Sequence, residues 1–294
     1  TISRYELDFK NSKKNIQVGK AKDFELSNDK ILEKFILADG FYSGIYNYLP
    51  GSGFIDFHKD NLFVASSRGI LAYSKDIKGE LILKQIENNI NEFIGIEQFN
   101  KSNKFSLNDL LIHQNIIYIS YHEEKEEDCW TNSIIFSEVN YEFINFKKLF
   151  SNKECINSKN NVDSEFNAHQ SGGRIVHYDN NNILFSIGDY RERHYAQDEK
   201  SIFGKIIKIN INNSDYKIIS MGHRNPQGLF FDQQNNFVIE TEHGPLGGDE
   251  INLIEINSSN SGEIPNYGWA IASAGDIMEV KRLLMKQIQK ISVI

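Results

Sequence analysis

One hairpin pattern recurs along this chain, and its spacing limits the folds open to it. Gly53-Phe54-Ile55-Asp56-Phe57 leads through a polar turn, His58-Lys59-Asp60-Asn61, into Leu62-Phe63-Val64-Ala65, and Gly69-Ile70-Leu71-Ala72-Tyr73 supplies a third strand. The same order returns at residues 110–112 and 116–120, at 174–178 and 183–186, and at 229–231 and 237–239. Apolar, β-branched and aromatic runs broken by Asn- and Asp-rich turns are hairpin signals. With Asp56, Gln114, Asp179 and Asp232 as equivalent turn positions, the repeats stand 58, 65 and 53 residues apart. Short strands repeated at that length predict an all-β chain built as a β-propeller, with a two-sheet sandwich as the alternative.

Composition narrows the setting. The 294 residues suit one large β domain or two smaller ones, and a hydrophobic content of 40% suffices for a packed core. No apolar run is long enough to predict a membrane span. A net charge of −8, from 32 basic and 40 acidic residues, argues against non-specific nucleic-acid binding. Residues 1–35 are polar and Lys-rich and predict an N-terminal arm with one edge strand. The chain begins at Thr1 without a charged or apolar leader, which fits an exported chain after signal removal or a fragment. In an exported chain Cys129 and Cys155 could form a disulfide, a pairing the sequence leaves open. With neither a CxxC pair nor a His/Cys cluster, the sequence argues against zinc. The acidic run within residues 121–133 reads as a solvated hairpin tip.

The last repeat sits in the segment richest in special backbone residues. Arg224-Asn225-Pro226 precedes its hairpin, and His243-Gly244-Pro245-Leu246-Gly247-Gly248-Asp249-Glu250 follows. Each proline removes a ladder donor and marks where pairing stops. The glycines permit conformations and close backbone approaches closed to other residues. Such a concentration reads as a site, against the alternative of a capped hairpin with a glycine loop.

The runs GHRNPQG (222–228), EHGPLGGDEINLI (242–254) and NYGW (266–269), in that order, resemble the soluble glucose/sorbosone dehydrogenase family. The similarity extends upstream through His169-Gln170-Ser171-Gly172-Gly173-Arg174, Ser186-Ile187-Gly188-Asp189, Ala196-Gln197-Asp198 and Gly204-Lys205-Ile206-Ile207. The resemblance implies a six-bladed quinoprotein propeller that uses pyrroloquinoline quinone (PQQ) and calcium to oxidise a sugar or polyol. It implies His169 as the general base, taking the alcohol proton while hydride leaves for the quinone. It implies Arg224 and Asn225 as quinone contacts, the guanidinium stabilising charge that develops on reduction. It implies calcium at the backbone carbonyls of Gly244 and Pro245, and a second, structural calcium near Asp249, Glu250 and Tyr267. An external electron acceptor and a periplasmic or secreted location follow from the same resemblance.

The chain also departs from that pattern. Ile90 falls where a quinone-contacting glutamine is expected, and Ala168 replaces the aspartate that precedes the base in sugar-oxidising members. After Trp269, residues Ile277, Met278, Val280, Leu283, Leu284 and Ile288 have helical spacing instead of the expected further blades. The expected layout is an arm at 1–35, blades over 36–275 and a short helical tail at 276–294, a propeller incomplete at its C-terminus. Two functions remain open: a PQQ- and calcium-dependent sugar or polyol dehydrogenase, and an inactive or truncated propeller that binds a glycan or a protein.

Overall fold

The computed structural model describes residues 16–17, 19–26, 30–36, 53–75, 77, 81–256, 263–273 and 276–277. They divide into two compact units, one within Thr1–Tyr121 and Ile135–Lys148, the other within His122–Ile134 and Leu149–Ile294.

The N-terminal unit begins with β1 (Ile16–Gln17), β2 (Gly19–Glu25) and β3 (Ile31–Ile36). It continues through β4 (Gly53–His58), β5 (Asn61–Ser66), β6 (Leu71–Ser74) and β7 (Ile82–Asn88), a four-stranded antiparallel meander. A 3-10 turn at Ile90–Glu92 and the short helix α1 (Ile96–Lys101) lead to β8 (Leu107–His113). Val64, Ile70, Ala72, Leu81 and Leu83 form the core beneath the meander, each contributing about 1.5–3 kcal/mol for a full-sized aliphatic side chain.

The long strands β9 (Ile116–Glu126) and β10 (Cys129–Glu138) run through both units. With β8 and β12 (Lys147–Ser151) they make the second meander, while β11 (Phe143–Ile144) pairs with β7 and β13 (Ile156–Asn157) pairs with β10. The C-terminal unit carries the third meander, β14 (Gly172–Asp179), β15 (Asn182–Ile187), β16 (Lys205–Asn210) and β17 (Tyr216–Met221). The last is three-stranded: β18 (Pro226–Asp232), β19 (Phe237–Glu242) and β20 (Glu250–Glu255). Leu184, Ile206, Val238 and Ile254 close the core between these two sheets, with Leu229 and Phe231 packed on it. Phe230, between those two, points outward and is 60% exposed, as strand alternation requires.

All four hairpins lie where the repeat places them, as β4–β5, β8–β9, β14–β15 and β18–β19. Asp56 is not a turn residue, however. It lies inside β4 and accepts the Ile112 N–H at 2.5 Å, and the chain reverses after it with Lys59 at φ 56°. Asp232 does organise its turn, accepting the Gln234 and Asn235 N–H groups at 2.9 and 3.0 Å. Among its described residues the arm carries three strands where one edge strand is expected: β1 pairs with β7, and β2 with β3 form a hairpin of their own. Cys129 and Cys155 are bridged, with Cα atoms 5.4 Å apart. The acidic tip is exposed at Glu126 and Glu127, but Glu123 is buried and accepts from Ser133 and Ser151. Near the C-terminus β21 (Ala272–Ser273) pairs with β22 (Asp276–Ile277), and the rest of the expected helical tail lies outside the described residues.

Candidate active site

Asp189 joins three of the motifs. Its Oδ2 accepts the Trp269 indole N–H at 2.7 Å and its Oδ1 the Arg191 N–H at 2.8 Å, while its own N–H donates to the Arg224 carbonyl at 2.9 Å. The preceding Gly188 allows this, since a Cβ there would stand 2.3 Å from the Gln170 carbonyl oxygen. Asp189 is fully buried, and desolvation pushes its pKa up to about 6 against the pull of these donors and of Arg224 and Arg193. Trp269 arrives because Met221 and Gly222 exchange backbone hydrogen bonds with Pro265, Tyr267 and Trp269.

Arg224 leaves the end of this junction toward solvent. Its Nη1 donates to the His243 carbonyl at 2.7 Å, and its guanidinium carbon lies 5.3 Å from the Trp269 ring centre. In the orientation that satisfies its hydrogen bonds, the Gln170 amide oxygen accepts from Arg224 Nη2 and from Arg191 Nε, each at 2.9 Å. Two guanidinium groups therefore meet on one amide beside His169. Burial lowers the Arg224 pKa from its usual value, with Asp189 acting in the opposite direction.

His169 occupies the middle of a 3-10 turn, Ala168–Gln170, that Asn167 caps. Its N–H donates to Asn167 Oδ1 at 3.1 Å and its carbonyl accepts from Gln227 Nε2 at 3.3 Å, which pins the backbone while the residue stays exposed. Asn225 is buried, and its Oδ1 accepts the Gly172 N–H at 3.1 Å, tying the start of β18 to the start of β14. Of the departures, Ala168 is buried and its carbonyl is hydrogen-bonded to His122 Nε2 at 3.0 Å; Ile90 is buried in the N-terminal unit.

The segment after β19 is a tight backbone turn. Gly244 donates to Asp249 Oδ1 at 3.0 Å, and Gly248 donates to the Pro245 carbonyl at 2.9 Å. Only glycine fits at 244, where a Cβ would meet the Gly248 carbonyl oxygen at 1.7 Å. Tyr267 gives its hydroxyl to the Leu253 carbonyl at 2.6 Å and stacks on the His223 ring at 5.1 Å. Glu250 faces Glu242 directly across the β19–β20 ladder. Contacts thus run from Gln170, next to His169, to Arg224, and from Arg224 to His243, next to the Gly244–Pro245 turn that Asp249 closes, while Tyr267 lies on His223 and Glu250 faces Glu242.

Next to Tyr267 and Glu250 is a buried cluster whose joint role no motif states: His223, Glu240 and Glu242. His223 Nδ1 lies 3.2 Å from Glu242 Oε1 and 3.7 Å from Glu240 Oε2, and its Nε2 is 2.8 Å from Ser220 Oγ. Burial, and then the neighbouring Glu242 charge, hold Glu240 well above the usual carboxylate range. A signal for the pair was present. Val238, Glu240 and Glu242 alternate along one strand and so share its inner face, although the apolar run itself ends at Ile239.

The family model described as Glucose / Sorbosone dehydrogenase matches residues 62–290. Over 118 residues the chain is 34% identical to the aldose sugar dehydrogenase YliI of Escherichia coli (strain K12), covering 35% of this chain and 30% of that protein. This chain therefore spans under a third of that relative's length. A crystal structure of a glucose dehydrogenase superposes with a TM-score of 0.59 at 20% identity, covering 78% of this chain and 67% of that one. The PQQ-bound aldose sugar dehydrogenase of Streptomyces coelicolor gives a TM-score of 0.54 at 18% identity, covering 76% and 68%. At these identities the structural likeness carries the fold: the meanders are blades of a β-propeller.

Proposed function

The chain belongs to the glucose/sorbosone dehydrogenase family, and from that premise we propose that it works in the PQQ- and calcium-dependent oxidation of a sugar or polyol. The observation that carries the reading is the convergence of Arg224 and Arg191 on Gln170, beside the exposed His169 and the Gly244–Pro245 turn.

These residues fit the groups the family uses. Paired guanidinium groups match the carboxylates and quinone oxygens of PQQ, because each presents a fork of donors to planar oxygen pairs. The Gly244–Pro245 turn supports calcium, which takes backbone carbonyls readily, and the Asp249 carboxylate beside it adds negative charge. When bound, PQQ supplies the acceptor for hydride. His169 takes the substrate hydroxyl proton on an imidazole nitrogen and passes it to water, for which its exposure suits it. Trp269 and the His243 carbonyl hold Arg224 in place, so little ordering is left to do when a ligand arrives.

Asp249, Glu250 and Tyr267 would hold the second, structural calcium that the family resemblance implies. The bridged cysteines fit an oxidising compartment, periplasmic or extracellular. Among the described residues no helix is long and apolar enough to cross a membrane. Electrons would leave to an external acceptor.

Titration of the calcium-loaded chain with PQQ, followed by quinone absorbance and melting temperature, tests the reading. A stoichiometric spectral shift with a raised melting temperature is expected. His169→Gln should keep that shift and lower sugar-dependent dye reduction by about 100-fold or more. Unchanged turnover in this variant removes His169 as the base. Absence of any shift overturns the quinoprotein reading and leaves a glycan- or protein-binding propeller.

A further inference from the structure

Behind the candidate active site, two buried carboxyl groups lie side by side. Glu240 and Glu242 extend from neighbouring inward positions of β19, 0% and 6% exposed. Among the described residues no lysine or arginine lies within ion-pair distance of either, although the Arg224 guanidinium acts on Glu242 from farther away; the His223 ring stands against both. The Asn252 amide nitrogen is shared among three carboxylates, at 3.0 Å from Glu240, 3.2 Å from Glu242 and 3.4 Å from Glu250. Glu240 Oε1 is sealed from solvent with no hydrogen-bond partner. A buried carboxylate oxygen left in this state is strongly unfavourable unless a cation or a proton meets it.

We propose that His223, Glu240 and Glu242 bind one small divalent cation of the zinc class, fastening β19 to the loop that carries Arg224 and Asn225. One ligand atom from each residue can be chosen so that all lie within 4.8 Å of one another. The observed separations of 3.2 and 3.7 Å from His223 Nδ1 bracket the spacing of ligands on a tetrahedral ion, about 3.4 Å for bonds of about 2.1 Å. With Nε2–H donated to Ser220 Oγ, the imidazole turns its Nδ1 lone pair toward both carboxylates, which is the ligating tautomer. The unpartnered Glu240 Oε1 is available as a further ligand. An imidazole with two carboxylates suits zinc-class ions, whereas calcium takes six to eight oxygens. While Glu242 Oε1 faces the ion, its Oε2 accepts the backbone N–H groups of Arg224 and Asn225, so the ion would position that turn without touching substrate.

The test omits PQQ, which separates it from the function proposed above. The metal-stripped full chain is titrated with zinc in excess calcium, by calorimetry and by melting temperature. One zinc ion per chain and a raised melting temperature are expected. Glu240→Gln, which replaces the carboxyl group at constant shape, should melt no lower than wild type without metal and should bind zinc about 100-fold more weakly or worse. His243→Asn, which disrupts the exposed His243–Asp249 pair, should leave zinc binding unchanged. In the wild-type chain, imidazole NMR should show zinc shifting the His223 resonances and not those of His243. Zinc binding that survives Glu240→Gln, or that shifts His243 alone, overturns the proposal. So does a failure to take up zinc, because a proton then meets the carboxylate pair.

Discussion

Asp189 carries a carboxyl group to a place water does not reach, and its titration should be visible in the stability of the chain. Its folded pKa, about 6, exceeds the unfolded value of 3.8, so the folded state holds the proton more tightly. The resulting stabilisation is full below about pH 3.8, declines as pH rises through 6 and is gone above that, a span of about 3 kcal/mol. Asp189→Asn should flatten this part of the stability-versus-pH curve. Chemical denaturation of both proteins at pH 4 and pH 7 measures it, and a wild-type minus variant difference that does not change with pH would refute it. Proline and glycine chemistry marks the segment around Gly244 as a candidate site in the sequence, whereas His169 and Arg224 are picked out only by the family resemblance. Asp189 lay in a recognised motif and received no role, because what makes it consequential is Trp269, 80 residues on, which sequence does not bring near. Glu240, and its pairing with His223, stay hidden for the same reason: each is ordinary until the other is beside it.

At the scale of elements, alternation and turn chemistry made all four hairpins readable, while the ends of strands were not. β19 continues through Glu242 because backbone pairing with β20 holds polar residues in the ladder that side-chain hydrophobicity alone would release. The three strands of the arm were hidden because β1 is fixed by a partner, β7, more than 60 residues away, and not by its own composition. Lys205 at the start of β16 shows how an element boundary can rest on one side chain. Its buried ammonium donates to the carbonyls of Tyr195, Ala196 and Phe203, and burial pulls its pKa down to about 8. Lys205→Met keeps the aliphatic volume and leaves three carbonyls without this donor. A loss of about 3 kcal/mol or more is expected. Urea denaturation would detect it, and a variant as stable as wild type would show that water replaces the ammonium.

For the whole molecule, the repeat length identified the architecture, because a blade is a local unit whose strands are consecutive in sequence. The pairing of Cys129 with Cys155 stayed open in the sequence, since two cysteines state a possibility and only the β10–β13 ladder brings them together. Closing 26 residues of separation should stabilise the fold by about 3–4 kcal/mol on the chain-entropy account. Reduction, or Cys129→Ser with Cys155→Ser, should lower the melting temperature by several degrees. An unchanged melting temperature would mean that the strands hold this segment unaided.

The bridge also has a consequence in time. A chain made from its N-terminus exposes both cysteines before His169, Arg224 or Trp269 has been synthesised. The β9–β10 hairpin can therefore be tethered to the segment after β12 while the β14–β17 and β18–β20 meanders do not yet exist. Every residue of the candidate active site then joins a chain whose middle is already covalently fixed, and oxidation of two cysteines outside that site becomes an early event in its assembly.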